Sequence, residues 1–147
     1  MFERYTESAK RATFFGRYEA SQYGSSEIKT EHLLLGPLRG DRRLARRVLG
    51  SGGPIKRFTS SASSIQSIRR NISVVGRKIP TSEDLPLSNE SQRVLAYAAE
   101  EADRLADRHI GSEHLLLGLL KENHSLAAQL LSGEGVTLVR AREKIRK

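Results

Sequence analysis

The stretch Thr30-Glu31-His32-Leu33-Leu34-Leu35-Gly36 returns in the second half of the chain as Ser112-Glu113-His114-Leu115-Leu116-Leu117-Gly118. The same spacing, without any gap, also pairs Glu19 with Glu101. Matches of this kind continue in the same order through most of each half of the chain. Such self-similarity at one fixed spacing indicates an internal duplication.

The duplication predicts one domain over residues 1–147. It consists of a repeat at 1–76, a linker at 77–86 and a second repeat at 87–147. The apolar residues of both copies recur at helical spacing, and alternation at strand spacing is absent. We therefore predict an all-α fold of eight helices, arranged as two pseudo-symmetric four-helix repeats. Residues of the type that caps helix starts stand before four of these helices: Thr6, Thr30, Ser88 and Ser112.

Two short stretches of sequence are expected to interrupt the helices. Pro37 stands inside the second helix, where a proline removes a hydrogen bond, so we expect that helix to end early or to bend there. The glycine- and serine-rich stretch before the fourth helix predicts a loop, and it comprises Gly52-Gly53-Pro54 with Ser60, Ser61, Ser63 and Ser64.

Composition excludes several classes of protein. The chain of 147 residues has no cysteine, which rules out disulfides, thiolate metal sites and cysteine nucleophiles. No apolar run approaches the length of a membrane span, and charged residues follow Met1 where a signal peptide would need apolar ones. We expect a soluble, cytoplasmic protein without a membrane partner.

The repeated element, in this context, resembles the Clp amino-terminal domain, the double four-helix module of Clp-type AAA+ unfoldases. The likeness is greatest to the ClpC group, and it also includes the opening Phe2-Glu3-Arg4-Tyr5-Thr6. It implies a non-catalytic module that binds protein substrates or adaptors for proteolysis. No G-x-x-x-x-G-K-[ST] phosphate loop occurs in the sequence, so the module stands here without an ATPase. A separate Clp unfoldase is then an expected partner.

The resemblance also implies two phosphoarginine sites, each with a hydroxyl residue and a glutamate of the same repeat. Carried over by position, these are Thr6 with Glu31, and Ser88 with Glu113. A helix start suits phosphate, and a carboxylate suits the guanidinium. The alternative is that the hydroxyl residues are only helix caps and the glutamates only favour a first helical turn.

The net charge of +8 belongs entirely to the first half, since residues 1–76 hold 14 Lys+Arg against 6 Asp+Glu. Its densest part is a cluster of five arginines: Arg39, Arg42, Arg43, Arg46 and Arg47. If one helix continued through them, they would form a single solvent-facing stripe. The cluster is either a solvated face or a dock for an acidic protein, with nucleic acid as a further alternative ranked behind it. Aromatic residues that stack bases are missing from the cluster.

No residue pattern points to catalysis, to a metal or to a cofactor. His32 and His114 lie outside any HExxH pattern, and we expect them to make structural hydrogen bonds beside the leucine triplets. We expect most of the aromatic residues near the start of the chain to belong to the core. Phe2 is the exception, because it is expected to be partly exposed at the junction of the repeats as an accessory contact.

Overall fold

Glycine stands where the second helix of each repeat crosses the first. A Cβ atom on Gly36 would lie 2.0 Å from the carbonyl oxygen of Ala12, and one on Gly118 would lie 2.5 Å from that of Val94. A Cβ on Gly16 would in turn meet the backbone of Leu33 at 3.2 Å. The first two helices therefore run antiparallel in close backbone contact.

The computed structural model describes residues 2–49 and 61–146. These residues form eight helices: α1 (Glu7–Gln22), α2 (Thr30–Gly40), α3 (Arg42–Leu49), α4 (Ser61–Arg70), α5 (Asn89–Arg104), α6 (Ser112–Lys121), α7 (Leu126–Gly133) and α8 (Leu138–Arg146). They contain no strand, only two isolated bridges. The predicted all-α fold of eight helices is confirmed.

The predicted helix caps are confirmed at two positions and wrong at the other two. Thr6 and Ser88 cap α1 and α5 as expected. Thr30 and Ser112 instead are the first residues within α2 and α6. At both helices a histidine makes the reciprocal bond of a capping box, because its Nδ1 atom accepts the backbone N–H of the residue that precedes the helix. The distances are 3.1 Å for His32 with Lys29 and 2.8 Å for His114 with Gly111.

The structural role expected for the two histidines is therefore confirmed. Burial, together with the charge of Lys29, lowers the pKa of His32 to about 4. The ring is thus neutral at pH 7, as an accepting Nδ1 atom requires. The ring of His114 also contacts the carboxylate of Asp107, at 2.9 Å from its Nε2 atom.

Of the two outcomes expected at Pro37, an early end of α2 is wrong, since the helix continues to Gly40. Pro37 is buried, and its carbonyl oxygen accepts the N–H of Asp41 at 2.9 Å. Packing against α1 thus outweighs one missing hydrogen bond. The loop predicted before the fourth helix is also too long, because α4 already begins at Ser61. The rest of that loop, Gly52-Gly53-Pro54 and Ser60, lies outside the described residues.

The two repeats share one hydrophobic core. The leucine triplets at 33–35 and 115–117 are at most 1% exposed. Leu34 and Leu116 belong to a single cluster of buried residues that extends through both halves. The repeats are also joined through the backbone, at the parallel bridges Tyr5–Ile110 and Ile28–Leu87. Among the described helices, none has the length and apolar character needed to cross a membrane.

Candidate functional site

The start of α1 lies beside the start of α6, in the other repeat. The hydroxyl oxygen of Thr6 accepts the N–H of Ala9 at 3.1 Å. The N–H of Thr6 itself donates to the carbonyl oxygen of Ile110 at 3.0 Å. Glu113 stands in the first turn of α6, shortly after Ile110. We call this place, with Thr6 and Glu113, the α1/α6 corner.

The start of α5 lies beside the start of α2 in the same manner. The hydroxyl oxygen of Ser88 accepts the N–H of Ser91 at 3.1 Å. The N–H of Ser88 donates to the carbonyl oxygen of Ile28 at 3.1 Å. Glu31 stands in the first turn of α2. We call this place, with Ser88 and Glu31, the α2/α5 corner.

The structure therefore pairs the candidate residues across the repeats, whereas the sequence analysis paired them within a repeat. Because α1 and α2 are antiparallel, Thr6 lies near the end of α2, where Ser8 donates to Asp41 at 3.4 Å. Glu31 is at the opposite end, about 14 Å away along the helix. The side chains of Glu31 and Glu113 are both partly exposed, so neither faces a closed interior.

The two corners differ in charge. At the α1/α6 corner, Asp41 Oδ1 accepts the N–H of Leu44 at 3.1 Å, and Asp41 Oδ2 accepts the hydroxyl of Ser112 at 2.7 Å. At the α2/α5 corner a neutral residue, Ser125, takes the corresponding place as the cap of α7. Thr30 Oγ1 accepts the N–H of Ala127 there at 3.4 Å. Both corners have a glutamate in a first helical turn, Glu113 or Glu31, but only the α1/α6 corner adds a second carboxylate, that of Asp41, as a helix cap.

An apolar groove of about 430 Å³ lies at the junction of the repeats. Phe2 and Phe14 line it from the first repeat, and Leu87 and Leu95 line it from the second. Phe2 is 38% exposed, as expected, and Phe14 is 62% exposed. Phe15 and Tyr18 are only partly buried and Tyr5 alone among these aromatic residues is buried, so the expectation that most of them belong to the core is wrong.

The five clustered arginines do not form one stripe, because α2 ends at Gly40 and α3 begins at Arg42. Arg39 turns toward α1, where it donates to Glu19 Oε2 at 2.9 Å. Arg47 donates to the carbonyl oxygen of Lys144 in α8. The other three side chains are exposed: Arg42, Arg43 and Arg46.

Sequence reasoning missed the partners of two buried glutamates at equivalent positions. Glu19 binds both nitrogens of Arg69 at 2.9 and 2.8 Å, and Glu101 binds Arg142 at 3.0 and 2.7 Å. Burial alone would raise the pKa of Glu19, but the hydrogen bonds and charges of Arg69 and Arg39 outweigh it and hold that pKa below its usual value. The hydrogen bond from Arg142 likewise lowers the pKa of Glu101. These ion pairs fasten the fourth helix of each repeat to the first.

Across residues 2–49 and 61–146, no group of three or more His, Cys, Asp or Glu side chains is placed to hold a metal ion. The buried polar side-chain atoms in the same part of the chain all have hydrogen-bond partners. Surface features that suit binding include the two corners, the junction groove and the exposed arginines.

Several known proteins are similar to this chain in sequence. The family described as "Clp repeat (R) N-terminal domain" matches residues 86–147. The chain is 31% identical over 146 residues to "Negative regulator of genetic competence ClpC/MecB" of Bacillus subtilis, with 99% of this chain and 17% of that protein aligned. It is 33% identical over 145 residues to "Chaperone protein ClpB" of Oceanobacillus iheyensis, again with 99% and 17% aligned. The chain thus spans about a sixth of the length of these relatives.

Solved structures agree with these sequence matches. The N-terminal domain of ClpD from Arabidopsis thaliana superimposes with a TM-score of 0.69 at 24% identity, over 98% of this chain and 93% of that one. The Hsp104 N-terminal domain from Candida albicans gives a TM-score of 0.73 at 17% identity, over 97% and 89%. These structural likenesses establish a common fold. Together with the sequence matches along both repeats, they show that the chain belongs to the Clp amino-terminal domain family.

Proposed function

We propose that this chain is a non-catalytic binding module that takes apolar segments of substrate or adaptor proteins in the junction groove and presents them to a Clp-type unfoldase. The observation that carries the proposal is the exposure of two aromatic rings, Phe2 and Phe14, in a groove that both repeats line. Exposed contiguous apolar surface of this kind is typical of sites that bind other proteins. Membership of the Clp amino-terminal domain family supports the same function.

The rim of the groove supports a peptide-sized occupant. Arg17 and Asp84, which also line the groove, form an ion pair at 3.1 Å. Arg17 further donates to the carbonyl oxygens of Thr81 and Glu83, at 3.3 and 2.8 Å. These bonds fix the segment between the repeats against α1, so the groove is formed before a ligand arrives. A preformed site loses less entropy on binding.

The proposal predicts that Phe14→Ser weakens binding of an apolar peptide by about tenfold or more, because an exposed aromatic anchor supplies much of the energy of such a contact. The probe is a labelled, uncharged 12-residue peptide that contains leucine and phenylalanine, measured by fluorescence anisotropy. A peptide with serine at those positions is the matched ligand.

Val139→Ser is the control variant, because Val139 is 65% exposed but lies in α8, outside the groove. It should leave the affinity unchanged. Equal affinity for the two peptides, or equal effects of the two variants, would refute the assignment of the groove.

We further propose that the two corners recognise phosphoarginine, and that the α2/α5 corner is the stronger site. The guanidinium would pair with Glu31 there, and the phosphate would face the N–H groups at the start of α5. Lys29 adds a positive charge beside Glu31. At the α1/α6 corner the carboxylate of Asp41 already contacts Ser8 and Ser112, and its charge opposes a second anion.

In a calorimetric titration with free phosphoarginine, we therefore expect Glu31→Ala to weaken binding by about tenfold and Glu113→Ala to have a smaller effect. A charge-assisted pair of this type is worth about 1.5–3 kcal/mol, which corresponds to a tenfold change or more. Arginine and inorganic phosphate, added separately, are the control ligands. Affinity that neither substitution alters would remove the corners from consideration and leave the groove proposal standing.

A further inference from the structure

A second groove, of about 510 Å³, lies in the first repeat between α2, α3 and α4. Its apolar floor is formed by Leu38 and Ala45, which are each only 2% exposed, and by the partly exposed side chain of Ile65. Arg42 and Arg46, one helical turn apart on α3, line the same groove. Residues with this separation project from one face of a helix, about 6 Å apart along its axis. An apolar floor is thus combined with a pair of guanidinium groups at one wall.

The groove carries excess positive charge. Two further arginines that line it, Arg39 and Arg69, share the single carboxylate of Glu19. Arg42 and Arg46 are exposed, and no ion pair is formed by either of them within the described part of the chain. Asp41 forms no ion pair with either arginine, since its carboxylate accepts hydrogen bonds from Leu44, Ser112 and Ser8.

No acidic residue occurs in the sequence between α3 and α4. The segment that connects α3 with α4, residues 50–60, contains Lys56 and Arg57 and neither Asp nor Glu. The second repeat has His124 and Ala128 at the positions equivalent to Arg42 and Arg46. The second repeat therefore lacks these two arginines but has the same fold, so the fold does not require them.

We propose that this arginine groove binds an acidic, amphipathic segment of another protein, with carboxylates on Arg42 and Arg46 and apolar side chains on the floor. Charge complementarity selects the acidic residues, and the lining of Leu38, Ala45 and Ile65 selects the apolar ones. This binding is independent of the junction groove, which lies between the repeats and has different lining residues.

Nucleic acid fits this groove less well than a protein segment. Phosphates would pair with the arginines, but they would leave the apolar floor without a matching group. Single strands are held by stacking on aromatic rings, and none of the residues that line this groove is aromatic. The neighbouring rings of Phe15 and Tyr18 are covered by the guanidinium of Arg39, at 4.9 and 5.3 Å from their centres.

The test compares three labelled ligands by fluorescence anisotropy: a 14-residue peptide of glutamate and leucine, the same peptide with serine for leucine, and a single-stranded oligonucleotide of similar length. The variant Arg42→His with Arg46→Ala introduces the residues of the second repeat. Its matched control is Arg108→Ala with Arg140→Ala, which removes two exposed arginines from outside the groove. Ile65→Ser probes the floor, and circular dichroism checks that each variant is folded.

We expect the groove variant to weaken binding of the glutamate–leucine peptide by about tenfold or more, while the control changes it less than twofold. Ile65→Ser should weaken that peptide about fivefold and leave the glutamate–serine peptide unaffected. Equal losses in the groove variant and the control would mean nonspecific attraction to a basic protein and would overturn the proposal. So would failure of the peptide to bind, or tighter binding of the oligonucleotide that disappears with Arg42 and Arg46.

Discussion

Replacement of Gly36 by alanine is expected to lower the free energy of unfolding by about 3 kcal/mol. The new Cβ atom would lie 2.0 Å from the carbonyl oxygen of Ala12, which belongs to the backbone of α1 and cannot rotate away. The two helices would have to separate, and the leucines packed beneath them would lose contacts. Urea unfolding, followed by circular dichroism, measures the change.

The chain offers two matched comparisons for this substitution. Gly118→Ala places its Cβ 2.5 Å from the carbonyl oxygen of Val94, so we expect a smaller loss than at Gly36. A Cβ on Gly133, in α7, has no atom within 4 Å. Gly133→Ala should therefore be neutral or add about 0.5–1 kcal/mol, because alanine favours a helix. A loss at Gly36 no larger than at Gly133 would refute the close approach of α1 and α2.

The fold was predictable because the duplicated element combines several signals in one short stretch. The leucine triplets and the glycines at 36 and 118 serve the same packing in both copies, so their repetition indicates the same structure twice. The error at Thr30 and Ser112 arose because a hydroxyl residue ordinarily caps a helix. Here the Nδ1 atom of the histidine at the third position of the repeated element accepts the N–H of the residue before the helix. That histidine is present in both copies of the sequence.

The geometry of the corners was not predictable from the repeat. The fixed spacing between the copies says which positions are equivalent, but it does not say which copy supplies the neighbour of each helix. The bridges Tyr5–Ile110 and Ile28–Leu87 decide this, and they involve single backbone pairs without a sequence pattern. The exchange of partners between the repeats therefore appears only in three dimensions.

The ion pairs of the buried glutamates were hidden for a related reason. Glu19 and Glu101 obey the spacing of the duplication, but their partners Arg69 and Arg142 lie closer together in the sequence than that spacing requires. The segment before the fourth helix differs in length between the repeats, so a gap-free comparison cannot align these arginines. The sequence analysis noted these two glutamates only as equivalent positions, and the structure leaves them 3% and 1% exposed.

Glu101→Gln is expected to lower the free energy of unfolding by about 2–3 kcal/mol at pH 7. Removal of one partner from a buried ion pair costs about 3–5 kcal/mol, and the cost is reduced here because the side chain of Arg142 is 29% exposed and remains hydrated. The exposed carboxylate of Glu143 lies on α8 next to Arg142 in the sequence, so Glu143→Gln is the control and should change stability by less than about 0.5 kcal/mol.

The difference in the free energy of unfolding between wild type and Glu101→Gln should depend on pH if it comes from the ion pair. A difference caused only by changed packing would not. The hydrogen bond from Arg142 holds the pKa of Glu101 below its usual 4.5, so the folded state binds the proton more weakly than the unfolded state does. The stabilisation is therefore complete above about pH 5 and is lost as the pH falls through the folded-state pKa. Wild type and Glu101→Gln should converge in urea titrations over that acidic range. A difference that stays constant down to pH 3 would show that the charge of Glu101 contributes nothing, and that the bonds to Arg142 do not hold α8 against α5.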